Sequence, residues 1–172
     1  NFGHNFLVKD SLLIVDYSGF KKFDGQFAHL YYKKPFSYYK VRVEYRFAGT
    51  QLEGGPEWGK LNSGIMLHSQ SAETVGKDQS FPVSLEMQFL ASDSTLKRPT
   101  GNLCTPGTEV WMKGEKVKDH CIDASSKEFS VDDWVNAEAV VLGDSIIHHL
   151  INGDTVLTYN KPIIGGGFVN QT

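Results

Sequence analysis

The sequence predicts an all-β fold, a jelly-roll sandwich of two antiparallel sheets. Short runs of alternating apolar and polar residues recur along the chain, turn residues separate them, and no stretch carries helical spacing. Many short strands without helical spacers indicate a sandwich or barrel rather than alternating βαβ units.

The strand candidates follow in order. Residues 12–17 are apolar and β-branched, and 26–32 alternate. Residues 38–47, YYKVRVEYRF, give the clearest period of two. Runs at 62–68, 81–90 and 134–142 come next. Runs at 145–151 and 155–159 flank Asn152-Gly153, a strong hairpin signal. The region around 54–56 and the stretches 91–107 and 113–133 read as long loops, which usually carry function or need pinning.

The 172 residues fit one domain, taken as residues 1–172 and compatible with missing terminal segments. At 40% hydrophobic and 22% charged the composition is that of an ordinary globular protein. No apolar run approaches the roughly 18 residues of a membrane span. A net charge of −3 argues against a nucleic-acid partner, which normally meets a basic face. Asn170-Gln171-Thr172 spells a glycosylation sequon, a weak three-residue match.

Cys104 and Cys121 bracket a short segment rich in Gly, Pro, Lys and Asp. One reading is a disulfide that pins a loop and implies an oxidising, secreted or periplasmic setting. The other is two unrelated thiols. His120 adjoins Cys121, but without a second close pair a zinc site is not indicated.

The alternation assigns faces. Val41, Val43, Tyr45 and Phe47 oppose Arg42, Glu44 and Arg46; Ile65 and Leu67 oppose Gly64, Met66 and His68. Val83, Leu85, Met87 and Phe89 oppose Ser84, Glu86 and Gln88, and Trp134, Asn136 and Glu138 form a similar polar face. The polar faces are either ordinary solvated surface or a sugar-binding cleft, since Arg, Glu, His, Gln and Asn match sugar hydroxyls. The cleft reading expects Arg46, His68, Glu86 and Gln88 together. His149 alternates with Ile147 and Ile151, where a histidine is more often a satisfied core residue than a catalyst.

Glu86, Glu44 and Glu138 are the candidate acids. Glu86-Met87-Gln88-Phe89-Leu90-Ala91 lacks the second and third acids of the Glu-x-Asp-x-x-Glu strand of jelly-roll glucanases, which disfavours double-displacement hydrolysis.

In order, Val41-Arg42-Val43-Glu44-Tyr45-Arg46, Asn62-Ser63-Gly64-Ile65, Ser84-Leu85-Glu86-Met87-Gln88, Trp134 with Glu138, and His149 ahead of Asn152-Gly153 resemble the 3-keto-disaccharide hydrolase family over roughly residues 10–160. The resemblance implies a concanavalin-like jelly roll that cleaves glycosides oxidised at C3, as a hydrolase or an eliminating lyase. It implies Glu86 or His149 as base. Arg46, His68 and Gln88, or a divalent cation held by Glu and His ligands, would polarise the ketone. Asn62, Glu44, Glu138 and Trp134 complete the expected substrate-binding set. The rival readings are a non-catalytic carbohydrate-binding module and a structural β-sandwich.

Overall fold

A computed structural model describes residues 5–25 and 27–170. Twelve strands and two single-turn 3₁₀ segments make up the regular structure of these residues, and no α-helix occurs among them. The strands are β1 (Phe6–Lys9), β2 (Leu12–Val15), β3 (Tyr38–Tyr45), β4 (Asn62–Leu67), β5 (Leu85–Leu90) and β6 (Asn102–Cys104). They continue as β7 (Thr108–Met112), β8 (Glu115–Lys116), β9 (Cys121–Ile122), β10 (Val135–Leu142), β11 (Ile146–Ile151) and β12 (Asp154–Ile164).

Six strands form one antiparallel sheet in the order β3-β10-β11-β12-β7-β8, and four form a second in the order β4-β5-β6-β9. Strands β1 and β2 pair only with each other. The sheets face one another as the predicted sandwich. Leu85, Met87 and Leu103 of the smaller sheet, all 0% exposed, meet Ala137, Ala139, Val141 and Ile147 of the larger, also 0% exposed, in one core. Tyr45 on β3 stacks on Phe89 on β5, with ring centroids 4.3 Å apart and planes 9° from parallel. The Tyr45 hydroxyl sits 2.6 Å from Thr100 Oγ1, which accepts from the Leu90 amide. Burial pushes this phenol up to about 12.

The Asn152-Gly153 turn forms as expected, with φ of 51° and 94°. The Asn152 side chain accepts from the Asn136 amide, which locks the hairpin to β10.

Two expectations change. Residues 27–32 form no strand: Phe27 stacks on Trp58 and His29 Nε2 donates to the Ser80 carbonyl, so tertiary contacts replace a ladder. The stretches read as long loops contain β6, β8 and β9, and β7 lies between them; strands of two to five residues are too short to show a period. The 26–32 run and the sequon each extend onto residues outside the described set, Gln26 in the one and Gln171 and Thr172 in the other.

His149 is a core residue. It is 0% exposed, its Nδ1 donates to the Gly101 carbonyl at 2.8 Å, and its Nε2 accepts from the Tyr159 hydroxyl at 2.9 Å. It faces the space between the sheets and has both ring nitrogens engaged. Burial depresses its pKa to about 4, the Gly101 bond opposing this and the charge of His148 adding to it.

The two cysteines are joined. Cys104 on β6 and Cys121 on β9 are direct cross-strand partners and form a disulfide across 17 residues.

Two measurements test these features. Between pH 6.5 and about 4 the unfolded chain protonates His149 while the folded chain does not, so stability falls across that window and levels below it. His149→Leu is expected to cost about 2–4 kcal/mol at pH 7 and to flatten this acid limb in urea titrations. Replacing both cysteines by serine should lower stability by roughly 3 kcal/mol, as expected for a loop of this length; an unchanged urea midpoint would contradict it.

Candidate functional site

The site lies on the outer face of the four-stranded sheet. Alternation buries Leu85, Met87 and Phe89 and turns Glu86 and Gln88 outward. The register sets Met66 and Cys104 on either side of Glu86, and Gly64 and Asn102 on either side of Gln88. A row with Glu86 and the disulfide therefore adjoins a row with Gln88 and Asn102. Asn102 is itself fixed: its Nδ2 donates to Asp123 Oδ1 at 3.0 Å and its Oδ1 accepts from the Ala124 amide at 2.9 Å.

Gly64 makes room for Glu86. A Cβ at position 64 would fall 2.7 Å from Glu86 Oε1 and 2.9 Å from its Cγ, so any side chain there would displace the carboxylate. The Glu86 side chain thus lies across the glycine. Among the described residues it has no hydrogen-bond or ionic partner, and burial alone raises its pKa to about 7. A half-protonated carboxyl near neutral pH fits a general acid–base. The Gln88 amide also has no side-chain partner among the described residues and can present donors and an acceptor beside it.

Segments between the strands border this face and leave an open cleft that continues around the edge of β3. Glu86, Gln88, Gly64, Met66 and Asn102 line its floor, and Phe23, Phe27, Trp58 and Phe81 are among its walls. Arg98 braces one end: its guanidinium donates to the Ala91 carbonyl at 3.3 Å, to the Leu61 carbonyl at 3.1 Å and to the Lys60 carbonyl. Lys60 in turn pairs with Asp93 at 2.6 Å. His120 borders the far edge beside the disulfide, stacked on Phe168 at 4.4 Å, with burial lowering its pKa.

The expected site residues divide. Glu86 and Gln88 stand together on the floor. Asn62 begins β4 at the same face and donates through Nδ2 to the Trp58 carbonyl at 2.9 Å. His68 follows the end of β4 with φ of 47°, which breaks the alternation. Its Nε2 donates to the Gly143 carbonyl at 3.0 Å and its ring meets Tyr39 edge-on, so it ties the sheets together.

Arg46, Glu44, Glu138 and Trp134 belong to the larger sheet and point away from the shared core, on the side opposite Glu86. The cleft wraps the free edge of β3, so Glu44, Arg46 and Trp134 border its mouth without facing Glu86. Arg46 pairs with Asp132 at 3.2 Å and lies 5.3 Å from the Trp134 ring centroid. Glu138 is held below the usual carboxylate range by Lys40 at 2.8 Å and Arg42 at 2.9 Å. Alternation tells which residues leave the core but not from which sheet.

No group of three or more His, Cys, Asp or Glu side chains able to hold a metal ion occurs among the described residues. Glu86 has a methionine, a glutamine and a disulfide as neighbours, a poor donor set for the expected divalent cation. Sequence reasoning missed Asn102, Asp123, Trp58, Phe27 and Phe81. Only Asp123 left a signal, two residues beyond Cys121 on one face.

The description 3-keto-alpha-glucoside-1,2-lyase-like domain matches residues 3–168 of the chain. No curated protein and no solved structure matches it.

Glu86 should leave a signature in stability. Its folded pKa is raised, so folding is favoured below pH 4.5 and loses stability as pH rises towards about 7. Glu86→Gln should therefore stabilise the protein at pH 8 by up to about 3 kcal/mol and leave it nearly unchanged at pH 4. Urea melts of both proteins at the two pH values read this; equal differences at both would refute the shift.

Proposed function

The chain belongs to the 3-keto-alpha-glucoside-1,2-lyase-like family, and from that premise we propose that it cleaves glycosides carrying a ketone at C3. The observation that carries the reading is the desolvated, unpartnered Glu86 beside the Gln88 amide on the cleft floor. A 3-keto group acidifies the proton on C2. Ionised Glu86 removes that proton while a Gln88 N–H bonds the ketone oxygen, where enolate charge develops. The C1–O bond then breaks, and the proton on Glu86 passes to the departing oxygen. The products are a 3-keto sugar with a new double bond between C1 and C2 (an enone) and the free aglycone. Water added back at C1 would make the net reaction a hydrolysis. One carboxyl serves as base and then acid, so the missing second acid after Glu86 is no obstacle.

A family member with a carbohydrate substrate and a disulfide fits an extracellular or periplasmic setting. Among the described residues no helix is long and apolar enough to cross a membrane.

Release of aglycone from a 3-keto-glucoside tests the reaction. The wild type should turn over with kcat/KM rising through a single ionisation near pH 7, since Glu86 must be ionised to act. Glu86→Gln should lower kcat by at least about a hundredfold. Full turnover by that variant would remove Glu86 from the mechanism, and sugar binding without any turnover would favour a binding module.

A further inference from the structure

We propose that Trp58, backed by Phe27 and Phe81, forms the subsite for the leaving group and selects glycosides with a planar aromatic aglycone. The inference rests on the lyase reading of the Glu86 cleft.

Trp58 is 44% exposed although it lines the cleft. Its ring stacks on Phe27, with centroids 5.8 Å apart and planes 20° from parallel, and meets Phe81 edge-on at 6.1 Å. Phe27 also packs on Phe81 at 4.8 Å and on Phe23 at 5.2 Å. The indole is thus backed by a cluster of three phenylalanine rings and remains exposed beyond them. A large apolar surface held rigid yet left wet is poised to gain by burial under a ligand.

The backbone fixes this platform relative to the floor. Trp58 sits in a 3₁₀ turn, Glu57–Gly59, closed by the Lys60 amide on the Glu57 carbonyl at 3.1 Å. The Asn62 side chain holds the Trp58 carbonyl, and Asn62 lies two residues before Gly64, over which Glu86 rests. The expected sugar-binding amide at position 62 thus positions the tryptophan.

The chemistry of the wall chooses the ligand. A second sugar needs convergent donors and acceptors for its hydroxyls. Here the wall is built of aromatic rings, and two of the nitrogens beside them are already bonded. His29 Nε2 donates to the Ser80 carbonyl and Gln51 Nε2 to the Pro56 carbonyl. A flat aryl ring needs only the indole face.

Two measurements test the proposal together. The first compares kcat/KM for 4-nitrophenyl and methyl 3-keto-glucosides. The wild type should prefer the aryl substrate, and Trp58→Ala should lower that preference about tenfold through KM, whereas Trp58→Phe should keep most of it. Trp58→Leu, which retains apolar bulk without a π face, should also lose the preference. The second titrates unoxidised 4-nitrophenyl glucoside by calorimetry, which needs no turnover. The wild type should bind it about tenfold more tightly than Trp58→Ala does. If the wild type binds it no better than methyl glucoside, or if the variants leave both ratios unchanged, the subsite is wrong. If the binding differences appear and no 3-keto-glucoside is cleaved, the lyase reading falls and the aromatic subsite stands.

Discussion

The two sheets are held in register by a buried imidazole. His149 on β11 reaches across the core to the Gly101 carbonyl and accepts a hydrogen bond from the Tyr159 hydroxyl on its own sheet. Gly101 directly precedes β6, so this bond sets where β6 lies, and β6 places Asn102 beside Gln88 and Cys104 beside Glu86. The contact admits little substitution. Gly101 has φ of 79°, and a Cβ there would meet Ile151 at 2.9 Å. A neutral ring is the form that fits, because only the neutral imidazole can donate at one nitrogen and accept at the other.

The same economy of partners separates Glu86 from Glu138, two of the three candidate acids of the sequence. Glu138 is covered by Lys40 and Arg42, which supply charge and hydrogen bonds, so its carboxylate is stabilised and chemically quiet. Glu86 lines the cleft and has no partner among the described residues, so its charged form is penalised. Low polarity around an acid without a partner raises its proton affinity, and the fold holds that cost on a carboxyl of the cleft floor. The disulfide completes the design by tying two-residue β9 to β6, where the ladder alone offers only two paired positions.

Much of the fold was legible in the sequence because alternation is a local property. Residues 38–45, 85–90, 135–142 and 146–151 declare which side chains leave the core, and Asn152-Gly153 declares its turn. The family resemblance rested on these same strands and agrees with the domain match. What alternation omits is strand order. Arg46 and Glu86 both point outward, but β3 is the edge of one sheet and β5 lies inside the other. Very short strands escape for a different reason: β8 and β9 hold two residues each, fewer than one full period of a pleat.

The sequence by itself determined the all-β class, the pair of cysteines, the outward Glu86-x-Gln88 and the inward spacing of His149 with Ile147 and Ile151, because each follows from local pattern or composition. Only the tertiary structure decided the chemistry. It joined the cysteines, buried His149 with both nitrogens satisfied, and put Arg46, Glu138 and Trp134 on the opposite outer face. It also set Trp58 and its phenylalanines over the floor that Gly64 opens for Glu86. The physical reason is that desolvation and hydrogen-bond pairing depend on neighbours distant in the chain, and those neighbours decide which carboxyl keeps a proton near neutral pH.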